Sequence, residues 1–245
     1  MIKLDNVYKS FGSKHVLRGI NLLIDDKTTT VILGASGTGK STVIKHMVGL
    51  LKPDSGDIWI DDINVAKADE KELFEVRKKV GFLFQHGALF DSMNIFDNVA
   101  FPLREHTKMS KKEIKKSVYE RIEMVGLKAD EVVNLFPDEL SGGMQKRASL
   151  ARTIILNPNI ILYDEPTSGL DPITSDLISR LIVKLQNELG TTSVVISHDI
   201  KESFKIADKM AMLHEGKVLA YEEPQFFKET KNSIIRRFID GISEL

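Results

Sequence analysis

Apolar residues along the chain fall into two periods, short β-branched runs and longer stretches with helical spacing. In residues 1–24 the apolar groups come as brief runs (Val16 with Leu17, Ile20, then residues 22–24) around a turn at Phe11 and Gly12, which predicts short strands. Residues 28–33 form a β-branched run that stops at Gly34, the pattern of a buried strand. Residues 41–51 then place Ile44, Met47, Val48 and Leu51 on one helical face. Residues 52–56 read as a loop, 57–60 as a strand, and 80–84 as a short strand ending at Gln85. From His86 to about Leu140 the pattern is helical, and rich in Lys and Glu between Lys108 and Glu123. A strand over 159–163 ends at Asp164. Asp171 and Pro172 open a helix as N-cap and first-turn proline, with Leu177, Leu181 and Leu185 on one face beside Ile178 and Ile182, and Gly190 closes it. Residues 192–197 are a further β-branched strand. Strands alternating with helices predict a parallel sheet covered on both faces.

Composition narrows the class of protein. The 245 residues are 42% hydrophobic and 28% charged, enough apolar material for a sizeable core. A formal net charge of -1 gives no basic footprint for nucleic acid, so no nucleic-acid partner is expected. With no cysteine there are no disulfides and no thiolate chemistry. The first dozen residues, MIKLDNVYKSFG, have no apolar signal-peptide region, and no run of about 18 apolar residues spans a membrane. A cytosolic address is expected, with a peripheral place on a membrane left open.

Gly34-Ala35-Ser36-Gly37-Thr38-Gly39-Lys40-Ser41 fits the phosphate-loop pattern G-x-x-x-x-G-K-[ST], between a predicted strand and a predicted helix. Its glycines let backbone N–H groups curl round phosphate oxygens, and the following helix adds its positive end, with Thr42 in the first turn. Lys40 is placed to reach the β- and γ-phosphates of ATP and Ser41 to ligate Mg²⁺. A second apolar strand delivers Asp164 to the magnesium side, acting through a water, and leaves Glu165 free to polarise an attacking water.

The stretch Leu140-Ser-Gly-Gly-Met-Gln-Lys-Arg147 adds a serine-capped helix opened by Gly142 and Gly143. Two glycines are costly inside a helix, so they sit at a terminus or are needed for something else. Taken in order, the phosphate loop, Gln85, LSGGM, YDEP, SGLD and His198 resemble the ATPase subunit of an ATP-binding cassette (ABC) transporter over essentially the whole chain.

The resemblance implies a fold: a P-loop NTPase of the α/β class, with a RecA-like core, an N-terminal antiparallel β subdomain and an inserted α-helical subdomain. Residues 1–90 and 156–225 would form the core with its β subdomain, 91–155 the helical insertion and 226–245 a C-terminal helical tail, all within one domain. It implies an ATP-sandwich homodimer, in which Ser141, Gly142 and Gly143 of one copy cap the γ-phosphate held by the other, and Asp171 of the SGLD loop links the two sites. Phe11 would stack on adenine, with Tyr8 as the competing aromatic, and Val16 would pack the other side of the nucleotide. Gln85 would touch Mg²⁺ or the attacking water, and His198 the γ-phosphate. Ser197, His198 and Asp199 are chain neighbours and cannot form a hydrolase triad.

Residues 84–107 carry many apolar groups for a loop that follows an active-site glutamine, which fits a partner site, and the resemblance implies that this surface receives a short helix from the membrane subunit. Some of Leu89, Phe90, Met93 and Phe96 are expected instead inside the helical part. The wording FQHGALFDSMNIFDNVAFPLREHT with LSGGMQKR resembles the Mla-type, MCE-associated subfamily. That resemblance implies phospholipid transport between bacterial inner and outer membranes, on the cytoplasmic face of the inner membrane. It also implies permease subunits, an MCE-domain lipid-binding protein and a small regulatory subunit as partners. An importer or exporter of another cargo shares every catalytic residue; a soluble ABC protein on nucleic acid or ribosomes would need tandem cassettes or a coiled-coil insertion. Ile234, Ile235, Phe238, Ile239 and Ile242 recur at helical spacing, which predicts a closing helix packed on its own domain or on a partner.

Overall fold

The computed structural model describes residues 1–242. It contains two sheets. The first is antiparallel, in the order β2-β1-β4-β5, from β1 (Ile2–Phe11), β2 (Lys14–Ile24), β4 (Ser55–Ile60) and β5 (Ile63–Asn64). β1 and β2 are ten and eleven residues long, not the short strands expected. Polar side chains occupy most of the water-facing positions, and register shifts after Leu4, Val7 and Lys9 interrupt the alternation, so the sequence pattern broke into pieces.

The second sheet has the order β10-β9-β3-β8-β7-β6, built from β3 (Thr29–Leu33), β6 (Val80–Leu83), β7 (Ile160–Asp164), β8 (Thr192–Ile196), β9 (Lys209–His214) and β10 (Lys217–Glu222). The five strands from β9 to β6 are parallel, and β10 runs antiparallel at the edge. β3, β7 and β8 are buried along their whole length, which is why they read as continuous apolar runs. The two faces of the sheet serve two cores. Ile32, Ile160 and Leu162 pack towards the antiparallel sheet with α1 (Lys40–Met47) and α2 (Glu70–Lys79), whereas Val31, Ile161 and Tyr163 pack towards the remaining helices.

Between β6 and β7 the chain leaves the sheet for α3 (Ile95–His106), α4 (Lys111–Met124), α5 (Ala129–Val132), a 3₁₀ turn at Pro137–Glu139 and α6 (Gly142–Ile154). The segment 84–94 that enters this group is irregular, not helical as expected from His86 onward. It is organised by Asn98, fully buried on α3, whose amide accepts from Phe90 N–H and donates to the carbonyls of Phe90, Met93 and Asn94. Leu89 and Phe96 pack on the core while Phe90 stays exposed.

After β7, α7 (Pro172–Leu189) starts at its Asp171 cap and ends at Gly190 in the left-handed region, as its sequence predicts. Leu177 departs from the expected stripe: it is exposed, while Ile178, Leu181, Ile182 and Leu185 are buried. α8 (Ile200–Ile206) follows β8. α9 (Pro224–Glu229) and α10 (Ser233–Ile239) close the described chain, with Ile235 buried and Phe238 and Ile239 packed on the chain's own core. Among the described residues no helix is long and apolar enough to cross a membrane.

Candidate nucleotide site

In an open α/β sheet, ligands gather beyond the carboxyl ends of the strands. Here the ends of β3, β6, β7 and β8 deliver Gly34, Gln85, Asp164 with Glu165, and His198 to the same edge. A cavity of about 490 Å³ opens there, lined by Phe11, Lys14, Val16, Ser36, Gly37, Gly39, Lys40, Ser41, Thr42, Gln85 and Glu165. A cavity of this size falls within the range of small-molecule and cofactor sites.

The loop between β3 and α1 forms one wall. Gly39 caps α1 with φ 100°, a left-handed conformation that favours glycine. A Cβ at Gly39 would also sit 2.8 Å from Leu17 and 3.0 Å from Val16, so the loop packs directly on β2. That contact brings Val16, and Lys14 two residues earlier on the same strand face, to the cavity. Phe11 lines it from the end of β1. The competing Tyr8 lies over Gly19 and is not among the lining residues.

Lys40 is buried, and its ammonium donates to the carbonyls of Gly34 (2.8 Å) and Ala35 (3.0 Å). Thr38 turns its hydroxyl onto the same Ala35 carbonyl. Burial pushes the Lys40 ammonium below its ordinary pKa, and Glu165 and Asp164 oppose that shift. Across the cavity floor the Ser41 hydroxyl donates to Asp164 Oδ1 at 2.8 Å. Burial pushes the Asp164 carboxyl above the usual range, with the Ser41 hydrogen bond and the nearby lysines Lys45 and Lys40 pulling it back.

Glu165 is held with φ 48°, uncommon for a residue with a side chain, and its N–H is fixed to the Ile196 carbonyl at 3.1 Å. One carboxylate oxygen, Oε2, is shared. It accepts from the Gln85 amide at 3.2 Å and lies 3.4 Å from His198 Nδ1. Gln85, Glu165 and His198 thus meet at one oxygen, a convergence that their sequence positions did not disclose.

Ser141, Gly142, Gly143 and Asp171 are elsewhere: none of them lines the cavity. Ser141 caps α6, its hydroxyl accepting from Met144 N–H at 3.4 Å, and is exposed. A Cβ at Gly143 would meet Thr174 of α7 at 2.5 Å, so the start of α6 lies on the start of α7. Two cationic residues escaped the sequence reading. Lys14 was legible, since it shares the strand face of Val16. Lys146 is buried on α6, and a lysine at a buried helix position leaves no pattern to detect.

This geometry, a glycine-lined phosphate loop facing paired acids with a serine-capped helix turned outward, defines a P-loop nucleotide-binding subunit. The family described as ABC transporter matches residues 17–168, and the chain belongs to it. The chain is 42% identical over 240 residues to the probable ribonucleotide transport ATP-binding protein mkl of Mycobacterium tuberculosis H37Rv, covering 98% of this chain and 66% of that protein. It thus spans about two thirds of that mycobacterial relative. It is 40% identical over 244 residues to the intermembrane phospholipid transport system ATP-binding protein MlaF of Escherichia coli K12, covering 100% of this chain and 90% of that protein. Among solved structures, a dimeric post-hydrolysis ATP-binding cassette bound to ADP and Pi superposes with a TM-score of 0.84 at 36% identity, over 91% of this chain and 98% of that one.

Proposed function

We propose that the chain is the ATP-hydrolysing subunit of a transporter that moves phospholipid between bacterial membranes, acting as a homodimer at the cytoplasmic face of the inner membrane. The observation that carries the cargo is the end-to-end match to MlaF, which spans 90% of that relative.

Lys40 and the backbone N–H groups of the phosphate loop take the β- and γ-phosphates, Phe11 the adenine, and Val16 its other side. Ser41 and Asp164 are hard oxygen donors in contact, and burial of the Asp164 carboxyl outweighs the hydrogen bond and lysines that favour its charge, so the pair fits Mg²⁺. No group of three His, Cys, Asp or Glu that could hold a metal exists among the described residues, so a Mg²⁺ held by Ser41 and Asp164 would draw on the nucleotide's own phosphate oxygens and on water. Bound there, Mg²⁺ neutralises charge on the phosphates. Glu165 orients the attacking water and accepts its proton, while Gln85 and His198 hold the carboxylate in place. Gln85 would also reach a bound Mg²⁺ or the attacking water, and His198 the γ-phosphate. Ser141, Gly142, Gly143 and Asp171 complete the site of the second copy.

A second cavity, about 410 Å³ and mainly apolar, is lined by Phe82, Phe84, Phe90, Phe101 and Pro102. It is the place proposed for a permease helix. An MCE-domain protein and a small regulatory subunit would join through that permease complex. The mkl relative supports a second reading, ribonucleotide cargo on the same machinery.

The test is purification of the tagged chain from detergent-solubilised native membranes, with mass spectrometry of proteins and lipids. A permease, an MCE-domain protein and phospholipid together are expected. A permease with bound nucleotide and no phospholipid would replace the cargo.

A further inference from the structure

α6 holds the backbone of the segment that carries Gln85. Lys146, 5% exposed, donates from its ammonium to the Gln85 carbonyl. Ser149 packs on Gly87, where a Cβ would come within 2.4 Å of its hydroxyl. Arg152 donates to the Gly87 carbonyl at 2.8 Å, and its guanidinium lies 5.5 Å from the Phe90 ring at the apolar cavity. Residues 146, 149 and 152, three apart on one helix, therefore grip residues 85–87 along a single face. The same Gln85 then donates its amide to Glu165.

A buried ammonium is costly unless it is paired, and a methionine would fill similar space without that cost. The negative charges acting on Lys146 are those of Asp164 and Glu165. Its one hydrogen bond described here goes to the residue that touches Glu165.

We propose that Lys146 is a positioning residue for ATP hydrolysis: it sets Gln85 against Glu165, so that a displacement of α6 changes the turnover rate. This rests on the ATPase reading above. The cation works through the Gln85 backbone, and the apolar cavity lies at the other end of the same ladder, at Arg152. A partner seated in that cavity would thus act on Glu165 through α6.

The experiment measures steady-state ATP hydrolysis and thermal melting of the full chain for Lys146→Met, Lys146→Arg, Gln85→Ala and the Gln85→Ala/Lys146→Met double variant. Lys146→Met should lose about tenfold or more in kcat, with KM for ATP held and Tm not lowered, because misplacing a catalytic group costs rate rather than ground-state binding. Lys146→Arg should restore turnover. On the Gln85→Ala background the Met substitution should cost little more, the non-additivity of residues acting as one unit. Wild-type turnover in Lys146→Met overturns the inference, as does a full additional loss in the double variant or a loss that follows Tm. Should Lys146→Met not fold, Lys146→Gln carries the same expectations; if it also fails while Lys146→Arg is stable, the role is structural and the inference falls. A wild-type chain that hydrolyses no ATP would instead remove the ATPase reading itself.

Discussion

Glu165 concentrates the chemistry at the residue scale. Its backbone is held at a positive φ, and one carboxylate oxygen accepts from the Gln85 amide and lies 3.4 Å from His198 Nδ1. Glu165→Gln keeps the shape and removes the proposed base. Phosphate release should fall by roughly 10²–10⁴, while a fluorescent-nucleotide titration should give unchanged ATP affinity; near-normal release would remove Glu165 from the role of base. The adjacent Asp164 obeys a different rule. Burial raises its pKa, so the folded chain binds that proton more tightly than the unfolded chain. At neutral pH the folded chain must hold the charge against burial, and this group subtracts stability; the subtraction fades as pH drops through the raised folded value. Asp164→Asn should therefore raise the Tm of the nucleotide-free chain at neutral pH, by roughly 2–4 °C for each kcal/mol recovered. It should also shrink the stabilisation that Mg²⁺ with ATP provides. Scanning fluorimetry with and without the nucleotide reads both; a lowered Tm would show that the Ser41 hydrogen bond outweighs the burial.

At the scale of elements, the two glycines that open α6 separate. A Cβ at Gly143 would come within 2.5 Å of a Thr174 methyl whose own hydroxyl is tied to Asp171 at 2.6 Å, so Thr174 cannot turn away. A Cβ at Gly142 meets only Leu170, at an ordinary 3.8 Å. Gly143→Ala should cost about 1–3 kcal/mol by overpacking, whereas Gly142→Ala should leave the melting curve in place; equal effects on Tm would contradict this contact. Gly143 thus has a reason inside its own chain that the motif, read as an anion site, did not express. Elsewhere legibility followed the physics of each element. α7 was readable at both ends because Asp171, Pro172 and Gly190 act locally, through a cap, a fixed φ and a left-handed turn. α2 was missed because only Leu73 and Val76 of its ten residues are buried; its sequence signals were the Asp69–Glu72 capping box and the basic last turn at Arg77, Lys78 and Lys79. The phosphate loop and the acids at the end of β7 were legible because backbone cradles need glycine and strand ends need stops. The meeting of Gln85, Glu165 and His198 was not, because it depends on strand order, which places β6, β7 and β8 side by side across 113 residues of chain.

At the scale of the molecule, one chain holds two halves of different sites. The cavity at the strand ends contains the phosphate loop and Glu165 but none of Ser141, Gly142, Gly143 and Asp171. Those four sit together where α6 meets α7, and Ser141, Gly142 and Asp171 face solvent there, beside Ile173 at 84% exposure. The first N–H groups of a helix have no partner within the helix, and Ser141 satisfies only that of Met144. An anion brought to this end would be held by backbone and dipole together. The chain's own cavity is lined by the start of α1 but not by that of α6, so in the proposed homodimer a second copy, turned by a two-fold axis, would complete both sites at once. ATP is then part of the interface, and pairing should depend on it. In a Glu165→Gln background that prevents turnover, sedimentation velocity should show dimers with ATP and Mg²⁺ and monomers without. Adding Ser141→Arg fills the approach to the helix end with a long side chain and should abolish the ATP-dependent dimer, while each monomer still binds nucleotide. Ser141 lies outside the cavity of its own chain, so a Ser141→Arg protein that fails to bind ATP would contradict that separation. One that still dimerises with ATP would show that the helix end of α6 is not what closes the second site.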